Sequence, residues 1–311
     1  MHAEPLADTD EASAGDVVLL GSLTGDDAED VALLQAMRER DALVVFFAPE
    51  NLPGEHVFVD AFAPPANDPD RLPTISPALA AGLWAFTGEL VAAITRQGRM
   101  PPMYKSVSVP GGPERNAQHQ GLRWEPLAVS PVGPHVLGGT YLDRLLSMMR
   151  RLQATQMDKF AEAGQMAART LQAGNTVWYA SAGHLPPEQP GQVGDPGLLE
   201  PLPAWRTPER LPTVLKPGDL LVYVGYYEPF GPWAETAHQC DAKIVTVLAG
   251  TPARRAEEMG ADLNIDGCWP YGDAAVHLPG YDVGILPPSG VIQSAAYWMI
   301  VGETAARLKN E

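Results

Sequence analysis

Cysteine and positive charge are both scarce in this sequence of 311 residues. The two cysteines, Cys240 and Cys268, are too few for a disulfide framework and lack CxxC spacing. We therefore expect a reducing compartment and treat both residues as small apolar side chains. The chain has 21 lysine and arginine residues against 38 aspartate and glutamate residues, a formal net charge of -17. Because nucleic-acid binding needs clustered basic residues, this balance argues against a nucleic-acid partner.

Leader sequences, membrane-length apolar runs and metal-ligand clusters are missing as well. Residues 1–16 are acidic and contain no apolar core segment, so we expect no signal peptide. We also expect no run of membrane-spanning length and no membrane partner. No His, Cys, Asp or Glu cluster has metal-ligand spacing, and we expect neither a metal nor a cofactor. A cytoplasmic protein is the prediction that follows.

Apolar residues, in contrast, are plentiful. They make up 45% of the chain, which is enough for a large buried core. The 31 prolines and 30 glycines are concentrated in a few stretches that we expect to be loops. Residues 1–14 are small and acidic without periodicity, and we expect a disordered acidic tail there.

One pattern occurs twice in the sequence. Residues 218–248 comprise a Gly-Asp turn, a short apolar run bounded by glycine, a helix-length segment and a second apolar run, and residues 15–47 repeat that order. This is the pattern of a parallel βαβ unit. Because ligands tend to bind just past the carboxyl ends of such strands, we expect a site after Gly225 or Gly21.

A pair of later helices also favours duplication. The helix that Ser76-Pro77 opens, with serine as its expected N-cap, has a counterpart near the C-terminus in which Gly302-Glu303 repeats Gly88-Glu89. We therefore predict that residues 15–95 are a partial copy of an α/β unit at 141–311. Two unrelated α/β units are the alternative.

Residues 96–140 interrupt this pattern and are predicted to be a basic, Pro- and Gly-rich linker. Between Arg96 and Arg123, five basic residues stand against one acid, in a chain that is otherwise acidic. Paired glycines lie among its basic, hydroxyl and amide side chains, a composition suited to an anion pocket. The candidate ligand-binding residues here are Lys105, Ser106, Arg115 and Asn116. A solvated linker is the alternative.

The C-terminal part of the chain carries a family resemblance. A long helix predicted to begin at Tyr141 is followed by a strand at 176–180, the Gly-Asp strand, a helix, two further strands and a terminal helix. This order, with four short motifs, resembles the sugar isomerase (SIS) domain family of phosphosugar isomerases and binding modules. The motifs are Tyr141-Leu142-Asp143, Gly183-His184, Gly272-Asp273-Ala274 and Pro288-Ser289.

The resemblance implies an α/β fold with a flavodoxin-like three-layer parallel sheet, here as a duplicated or one-and-a-half-copy arrangement. It also implies a homodimer that binds a phosphorylated or otherwise anionic sugar at the strand ends, where hydroxyls, backbone amides and helix N-termini hold the phosphate. The candidate ligand-binding residues at those ends are Ser181, Gly183, Tyr226 and Ser289.

Isomerisation of an aldose to a ketose moves a proton between adjacent carbons through an enediol, which needs a carboxylate or an imidazole. By position, the candidate catalytic residues are His184, Glu188 and Glu303. Glu303 comes late in its helix, where a solvated face is the alternative interpretation.

The loops after the two Gly-Asp strands differ from the family pattern. The segment that is typically Ser-x-Ser-Gly stands at 225–231 without a short hydroxyl and with Glu228 added, whereas residues 21–25 keep two hydroxyls ahead of Asp26 and Asp27. The alternative function is therefore a degenerate, non-catalytic SIS module with a regulatory or assembly role.

Overall fold

Two parallel sheets organise the residues that the computed structural model describes, one of three strands and one of five. The described residues are 11–54, 56–67, 72–107, 109–127, 129–183, 189–203, 208–226, 233–250 and 260–309. The strands are β1 (Val17–Gly21), β2 (Leu43–Ala48), β3 (Val57–Asp60), β4 (Val177–Ser181), β5 (Glu200–Pro201), β6 (Leu220–Gly225), β7 (Lys243–Gly250) and β8 (Leu263–Pro270). The helices are α1 (Ala28–Glu39), α2 (Ile75–Arg96), α3 (Gly112–His119), α4 (Val136–Gln172), α5 (Leu211–Val214), α6 (Trp233–Gln239) and α7 (Ser289–Lys309).

The N-terminal sheet has the order β1-β2-β3, and α1 and α2 cover its two faces. Alternate side chains of β2 point to opposite faces, so Val44 and Phe46 pack with α1 while Phe47 packs with α2. The Phe47 and Phe86 rings meet edge to face at 5.9 Å. Helix α1 begins where the Asp27 carboxylate accepts the Glu29 N–H at 2.8 Å.

The C-terminal sheet has the order β5-β4-β6-β7-β8 with every neighbouring pair parallel. Val222 and Val224 of β6 face the core formed with α4 and α7. Leu221 and Tyr223 face the opposite core, where the Tyr223 ring stacks on Trp233 of α6 at 5.2 Å. Helices on both faces of a parallel sheet confirm the predicted three-layer, flavodoxin-like α/β fold.

The same turn opens β1 and β6. Gly15 and Gly218 have φ values of 87° and 88°, a region in which a side chain is strained. Each donates its N–H to the aspartate carbonyl that precedes the next strand, Asp41 at 3.2 Å and Asp241 at 2.9 Å. The two units thus share a turn and a βαβ order, as the predicted duplication requires. Within the described residues, the N-terminal copy lacks counterparts of α4, β4 and β5.

The segments around the first copy are more ordered than the sequence predicts. Ala12, inside the predicted tail, is 5% exposed and packs in the core beneath β2, while residues 1–10 lie outside the described residues. The predicted linker contains α3, and α4 begins at Val136 rather than Tyr141. The Glu89 carboxylate of α2 fixes that start, because it accepts the N–H groups of His135 at 2.7 Å and Gly138 at 2.9 Å.

Helix α2 differs from its prediction in two respects. It begins at Ile75, and Ser76 does not cap it, because the Ser76 hydroxyl donates to Gln192 at 2.7 Å. At 22 residues, with a mean hydropathy of 1.5 in its most apolar window, α2 is long and apolar enough to cross a membrane, so the expectation that no run has this length was wrong. In this fold α2 packs against α4, where a Cβ at Gly88 would lie 3.1 Å from the Gly138 nitrogen.

Candidate functional site

The carboxyl ends of β4 and β6 meet the first turns of α7. Gln293 of α7 donates its side-chain N–H to the Ala182 carbonyl, just after β4, at 2.7 Å. A Cβ at Gly183 would lie 2.2 Å from Gln293 Oε1, so a larger residue there would displace that side chain. A Cβ at Gly225 would lie 3.0 Å from the Ala182 oxygen, which places the end of β6 at the same point. We call these strand ends and the first two turns of α7 the strand-end site.

Buried polar atoms without partners line this site. Gln293 Oε1 and Ser294 Oγ make no hydrogen bond in the part of the chain that the structure describes, although the two residues are 0% and 1% exposed. The Tyr226 hydroxyl lies beside Asp273 and Ser289 without a hydrogen bond of good geometry. Burial, and then the Asp273 charge, raise the pKa of Tyr226. Each unsatisfied buried group costs about 1–3 kcal/mol, so these atoms are candidate contacts for a polar ligand or a bound water.

Ser289 is the first residue of α7, and its polar groups are already engaged. Its N–H and hydroxyl donate to the two carboxylate oxygens of Asp273 at 3.1 and 2.7 Å. Both residues are buried, and Asp273 thereby places a negative group at the helix N-terminus. The Tyr141 hydroxyl donates to the Pro287 carbonyl at 3.2 Å, and burial together with the Asp273 charge raises the pKa of Tyr141. Ser289 thus lies at the site but uses its hydroxyl within the chain.

Ser181 and Gly183 lie where the sequence predicts, at the end of β4. Ser181 is half-buried and shares a face of β4 with Tyr179, whose ring meets Tyr297 of α7 edge to face at 4.8 Å. This face is the one that α7 covers, so Ser181 lies on the α7 side of the sheet. Gln293 and Ser294 were missed in the sequence, because no local motif marks polar residues inside an apolar helix.

Of the three predicted catalytic residues, the structure describes Glu303. His184 and Glu188 lie outside the described residues. Glu303 is fourteen positions after Ser289 in α7, which puts it roughly 21 Å along the helix from the strand ends at 1.5 Å per residue. Its carboxylate pairs with Arg307 at 3.4 Å instead. The structure therefore corrects the placement of Glu303, whose side chain does not reach this site.

Arg115 of the basic segment is engaged by the chain itself. Its guanidinium donates to both carboxylate oxygens of Asp282 at 3.0 Å, to the Met103 carbonyl at 2.7 Å and to Glu125 at 3.2 Å. The hydrogen bonds from Arg115 lower the pKa of Asp282. Burial, followed by the hydrogen bond to Glu125, raises the pKa of Tyr281 to about 12. Through these hydrogen bonds, Arg115 thus links residues 100–125 to the segment that precedes α7.

The other three residues of the predicted anion pocket have internal partners too. Asn116 pairs with the backbone of Lys105, accepting its N–H at 2.9 Å and donating to its carbonyl at 2.8 Å. The Lys105 ammonium donates to the Pro110 carbonyl at 2.9 Å. Ser106 is buried, and its carbonyl accepts the Val109 N–H at 3.1 Å. These contacts give the segment a structural role within the fold.

In the first copy, the loop after β1 is held by a hydrogen bond to an aspartate of the same copy. The Ser22 hydroxyl donates to the Asp30 carboxylate and accepts the Gly25 N–H at 2.8 Å. Burial raises the pKa of Asp30, with further increases from the neighbouring Asp27 and Glu29 charges. A carboxylate therefore occupies the place where the family resemblance would put phosphate.

Replacing Asp30 with asparagine is expected to raise the melting temperature slightly at pH 7. Its pKa is higher in the folded than in the unfolded chain, so ionised Asp30 destabilises the fold above the folded pKa. That destabilisation disappears as the pH falls from the folded to the unfolded pKa. Asp30→Asn and the parent should therefore converge in acid in a thermal-denaturation series. Asp158→Asn, on an exposed part of α4, is the control, and an equal gain there would contradict the argument.

A cavity of about 520 Å³ lies at the opposite, amino ends of the strands. His238 and Asp262 line it, with the imidazole Nε2 and the carboxylate 3.0 Å apart. Asp262 also accepts the Ile244 N–H at 2.8 Å, so this pair ties β7 to the start of β8. Ligands of parallel α/β sheets bind at the carboxyl ends, which favours the strand-end site over this cavity.

Metal ligands do not cluster among the described residues, where no group of three His, Cys, Asp or Glu side chains is arranged to hold an ion. Cys240 and Cys268 are free thiols, and burial raises the pKa of both. Neither is therefore poised as a thiolate nucleophile.

This chain is similar to known proteins in structure. No family model and no curated protein sequence matches it. The C-terminal domain of glucosamine-fructose-6-phosphate aminotransferase from Francisella tularensis is similar with a TM-score of 0.51 and 9% identity, over 97% of this chain and 76% of that one. A candidate phosphosugar isomerase from Salmonella typhimurium has a TM-score of 0.46 and 14% identity, over 99% of this chain and 76% of that one. Phosphoheptose isomerase from Neisseria gonorrhoeae has a TM-score of 0.39 and 11% identity, over 56% of this chain and 97% of that one.

The first of these similarities extends over both α/β units and includes the duplicated part. At 9% identity it speaks to the fold. Together with the order of strands and helices and the motifs in residues 141–308, it shows that the chain has the fold of the SIS domain family.

Proposed function

We propose that this protein binds a sugar or sugar phosphate at the strand-end site. The observation that carries the proposal is the pair of buried, unpartnered oxygens on Gln293 and Ser294 beside Gly183, at the strand ends of an SIS fold. Sugar hydroxyls both donate and accept, so they are matched partners for such atoms. The solved structure with a TM-score of 0.51 bears the name of a glucosamine-fructose-6-phosphate aminotransferase, which supports the same ligand class here.

Aromatic side chains beside the site suit the apolar face of a sugar ring. The Tyr226 ring meets Trp269 edge to face at 6.5 Å and Tyr271 at 5.9 Å. The indole N–H of Trp269 has no hydrogen-bond partner in the described part of the chain. Ring stacking and hydroxyl recognition together favour a carbohydrate over a simple anion.

The charge at the site bears on whether the sugar is phosphorylated. Asp273 already supplies a carboxylate at the α7 N-terminus. This acid disfavours a second negative group in the place that it occupies. We therefore expect the hydroxyls to supply most of the affinity, and the test compares a sugar with its phosphate.

The probes are fructose 6-phosphate, fructose and inorganic phosphate. Their binding is measured by thermal shift and titration calorimetry. A ligand at a hundred times its dissociation constant adds about 2.7 kcal/mol to stability, an increase that a melting curve detects. Gln293→Leu is expected to weaken sugar binding about tenfold or more, because it removes the amide acceptor. It should remain folded, since Leu79 occupies the equivalent position of α2 and is half-buried there.

Lys105→Ala is the matched control, because that ammonium is held by Pro110 in the basic segment. Unchanged affinity in Lys105→Ala with loss in Gln293→Leu supports the proposed site. The reverse result would place the ligand in the basic segment and overturn the assignment. No thermal shift with either sugar, at concentrations far above those of cellular metabolites, would refute sugar binding itself.

Catalysis is a separate step of the proposal. Of the acids in the described residues, Asp273 is the one at the site, and it is committed to Ser289. This favours the second candidate function, a sugar-binding module without turnover. An enediol mechanism would exchange the carbon-bound proton next to the carbonyl with solvent, so incubation with fructose 6-phosphate in D₂O tests it. Deuterium incorporation seen by NMR would show an isomerase, and its absence with intact binding would support the non-catalytic module.

A further inference from the structure

The cavity of about 520 Å³ at the amino ends of the strands has a charged lining that takes no part in the strand-end site. This amino-end cavity lies between the last turns of α4 and α6, the Gly-Asp turn before β6 and the starts of β7 and β8. The six residues of β6 separate it from the strand-end site by about 20 Å, at roughly 3.3 Å per residue. Sites for small molecules have volumes of about 300–1,000 Å³, so the cavity has room for one.

Two cations of this lining have no partner in the protein. Among the residues that the structure describes, neither the Arg169 guanidinium nor the Lys243 ammonium forms a hydrogen bond or an ion pair. Acids outnumber basic residues by 38 to 21 in this chain, so the two cations are not unpaired for want of carboxylates. Two free cations at one cavity attract an anion from solution.

The neighbouring helices account for one of these cations but not for the other. Arg169 lies in the last turn of α4, where the carbonyl end of a helix favours positive charge. Lys243 opens the strand that follows α6, and Leu43 opens the strand that follows α1 in the N-terminal copy. The register of each copy pairs these two residues with the first residue of the preceding strand, so they occupy the same place. Because leucine serves there in one copy, the fold does not require a cation at this position.

An amide stands beside the cations at the wall of the cavity. The Asn175 side chain lies against the Gly-Asp turn, where a Cβ at Gly218 would be 2.4 Å from its Nδ2. Nothing lies within 4 Å of a Cβ at Gly15, the equivalent glycine of the N-terminal copy. The close approach of this amide thus belongs to the copy that has the cavity.

The two acids of the lining differ in their partners. Asp262 lies 3.0 Å from the His238 Nε2 and accepts the Ile244 N–H at 2.8 Å, so its carboxylate is engaged within the fold. The Asp241 carboxylate has no partner in the described part of the chain. The unengaged charges are therefore two positive and one negative. A ligand that carries both an acid group and a hydroxyl or amino group offers a partner to each of them.

We propose that the amino-end cavity is a binding site for a small organic anion, with its carboxylate or phosphate on Arg169 and Lys243 and a hydroxyl or amino group on Asp241. The planar guanidinium can hold two oxygens of the acid group, and the ammonium adds a compact positive charge. Because the cavity lies at the other end of the strands, this ligand is separate from the sugar proposed for the strand-end site. The inference stands independently of sugar binding.

Titration calorimetry of the full chain with L-malate and with glycerol 3-phosphate tests the site. Each probe carries a hydroxyl, and the two differ in whether the acid group is a carboxylate or a phosphate. We expect at least one probe to bind, and Arg169→Met and Lys243→Leu each to raise its dissociation constant about tenfold or more, because each removes a charged contact. Both variants should remain folded, since methionine favours a helix about as well as arginine and leucine is the residue of the N-terminal copy. Melting curves check this.

Two control variants separate this site from general charge attraction and from the strand-end site. Arg150→Met removes the same charge from α4, nineteen residues before Arg169 and thus roughly 28 Å away at 1.5 Å per residue. It should leave the dissociation constant unchanged, as should Gln293→Leu. An equal loss in Arg150→Met would assign binding to the overall charge, and loss in Gln293→Leu with retention in Arg169→Met would assign it to the strand-end site. Either result overturns the proposal, as does the absence of binding by both probes at millimolar concentration.

Discussion

Replacement of Asp219 by alanine is expected to lower the free energy of unfolding by about 4 kcal/mol. This carboxylate is 2% exposed and accepts three hydrogen bonds, from the Thr176 N–H at 3.0 Å, the Trp178 indole at 3.0 Å and the Lys216 N–H at 2.9 Å. Its removal leaves three donors in or near the core without a partner. It also releases the entry to β4 from the entry to β6. Urea unfolding followed by tryptophan fluorescence measures the change.

The internal repeat supplies the control for this experiment. Asp16 occupies the same turn position ahead of β1, but it accepts one exposed bond, from the Ser13 N–H at 2.9 Å. Asp16→Ala should therefore cost less than about 1 kcal/mol. Equal losses of unfolding free energy in the two variants would mean that the turn conformation, rather than the three hydrogen bonds that Asp219 accepts, stabilises the fold. Asp219→Asn separates charge from shape, because it keeps one carbonyl acceptor at nearly the same volume.

The second large effect is expected at Gly164, where α4 and α7 touch through their backbones. A Cβ at Gly164 would lie 2.3 Å from Glu303 Cβ, 2.9 Å from the Glu303 carbonyl carbon and 3.0 Å from the Thr304 nitrogen. Two of these atoms belong to the α7 backbone, so no side-chain rotation relieves the contact. Gly164→Ala should therefore destabilise by about 2 kcal/mol even though alanine favours a helix by about 1 kcal/mol. Thermal denaturation should show a clearly lower midpoint.

Gly139→Ala is the matched control in the same helix. Nothing lies within 4 Å of a Cβ at Gly139, so only the helix propensity changes. We expect that variant to be more stable by about 0.5–1 kcal/mol. A loss at both positions would contradict the close-approach explanation and point to a general need for flexibility in α4.

The secondary structure of this fold was largely predictable, because its signals are local. Short continuous apolar runs located β2 and β6 within a residue or two, and the Gly-Asp turns marked the repeat. The start of α4 was missed because its cap comes from Glu89, far away in sequence. Ser76 satisfies every local rule for an N-cap, yet a contact with Gln192 overrides it. Long-range partners of this kind leave no pattern in a single sequence.

The position of the candidate site was predictable from the sequence, but some of the residues that form it were not. Strand ends of a parallel sheet follow from the βαβ pattern, so Ser181, Gly183 and Tyr226 were placed near one another. Gln293 was not singled out, because a glutamine inside an apolar helix has no motif. Arg115 was expected to face a ligand, since a basic side chain in a glycine-rich loop suits anions. Its acidic partner Asp282 lies too far along the sequence for the pairing to be foreseen.

Helix α4 contacts both α/β units, so each unit depends on the other for its stability. Its first turn is capped by Glu89 from the N-terminal copy, and its later part packs on α7 of the C-terminal copy through Gly164. A break in the chain between the copies would thus leave α2 without its neighbour or α4 without its cap. We expect the two halves to melt in one calorimetric transition and neither half to be stable when expressed by itself. The incomplete N-terminal copy is stable, in this view, because α4 of the complete copy packs against it.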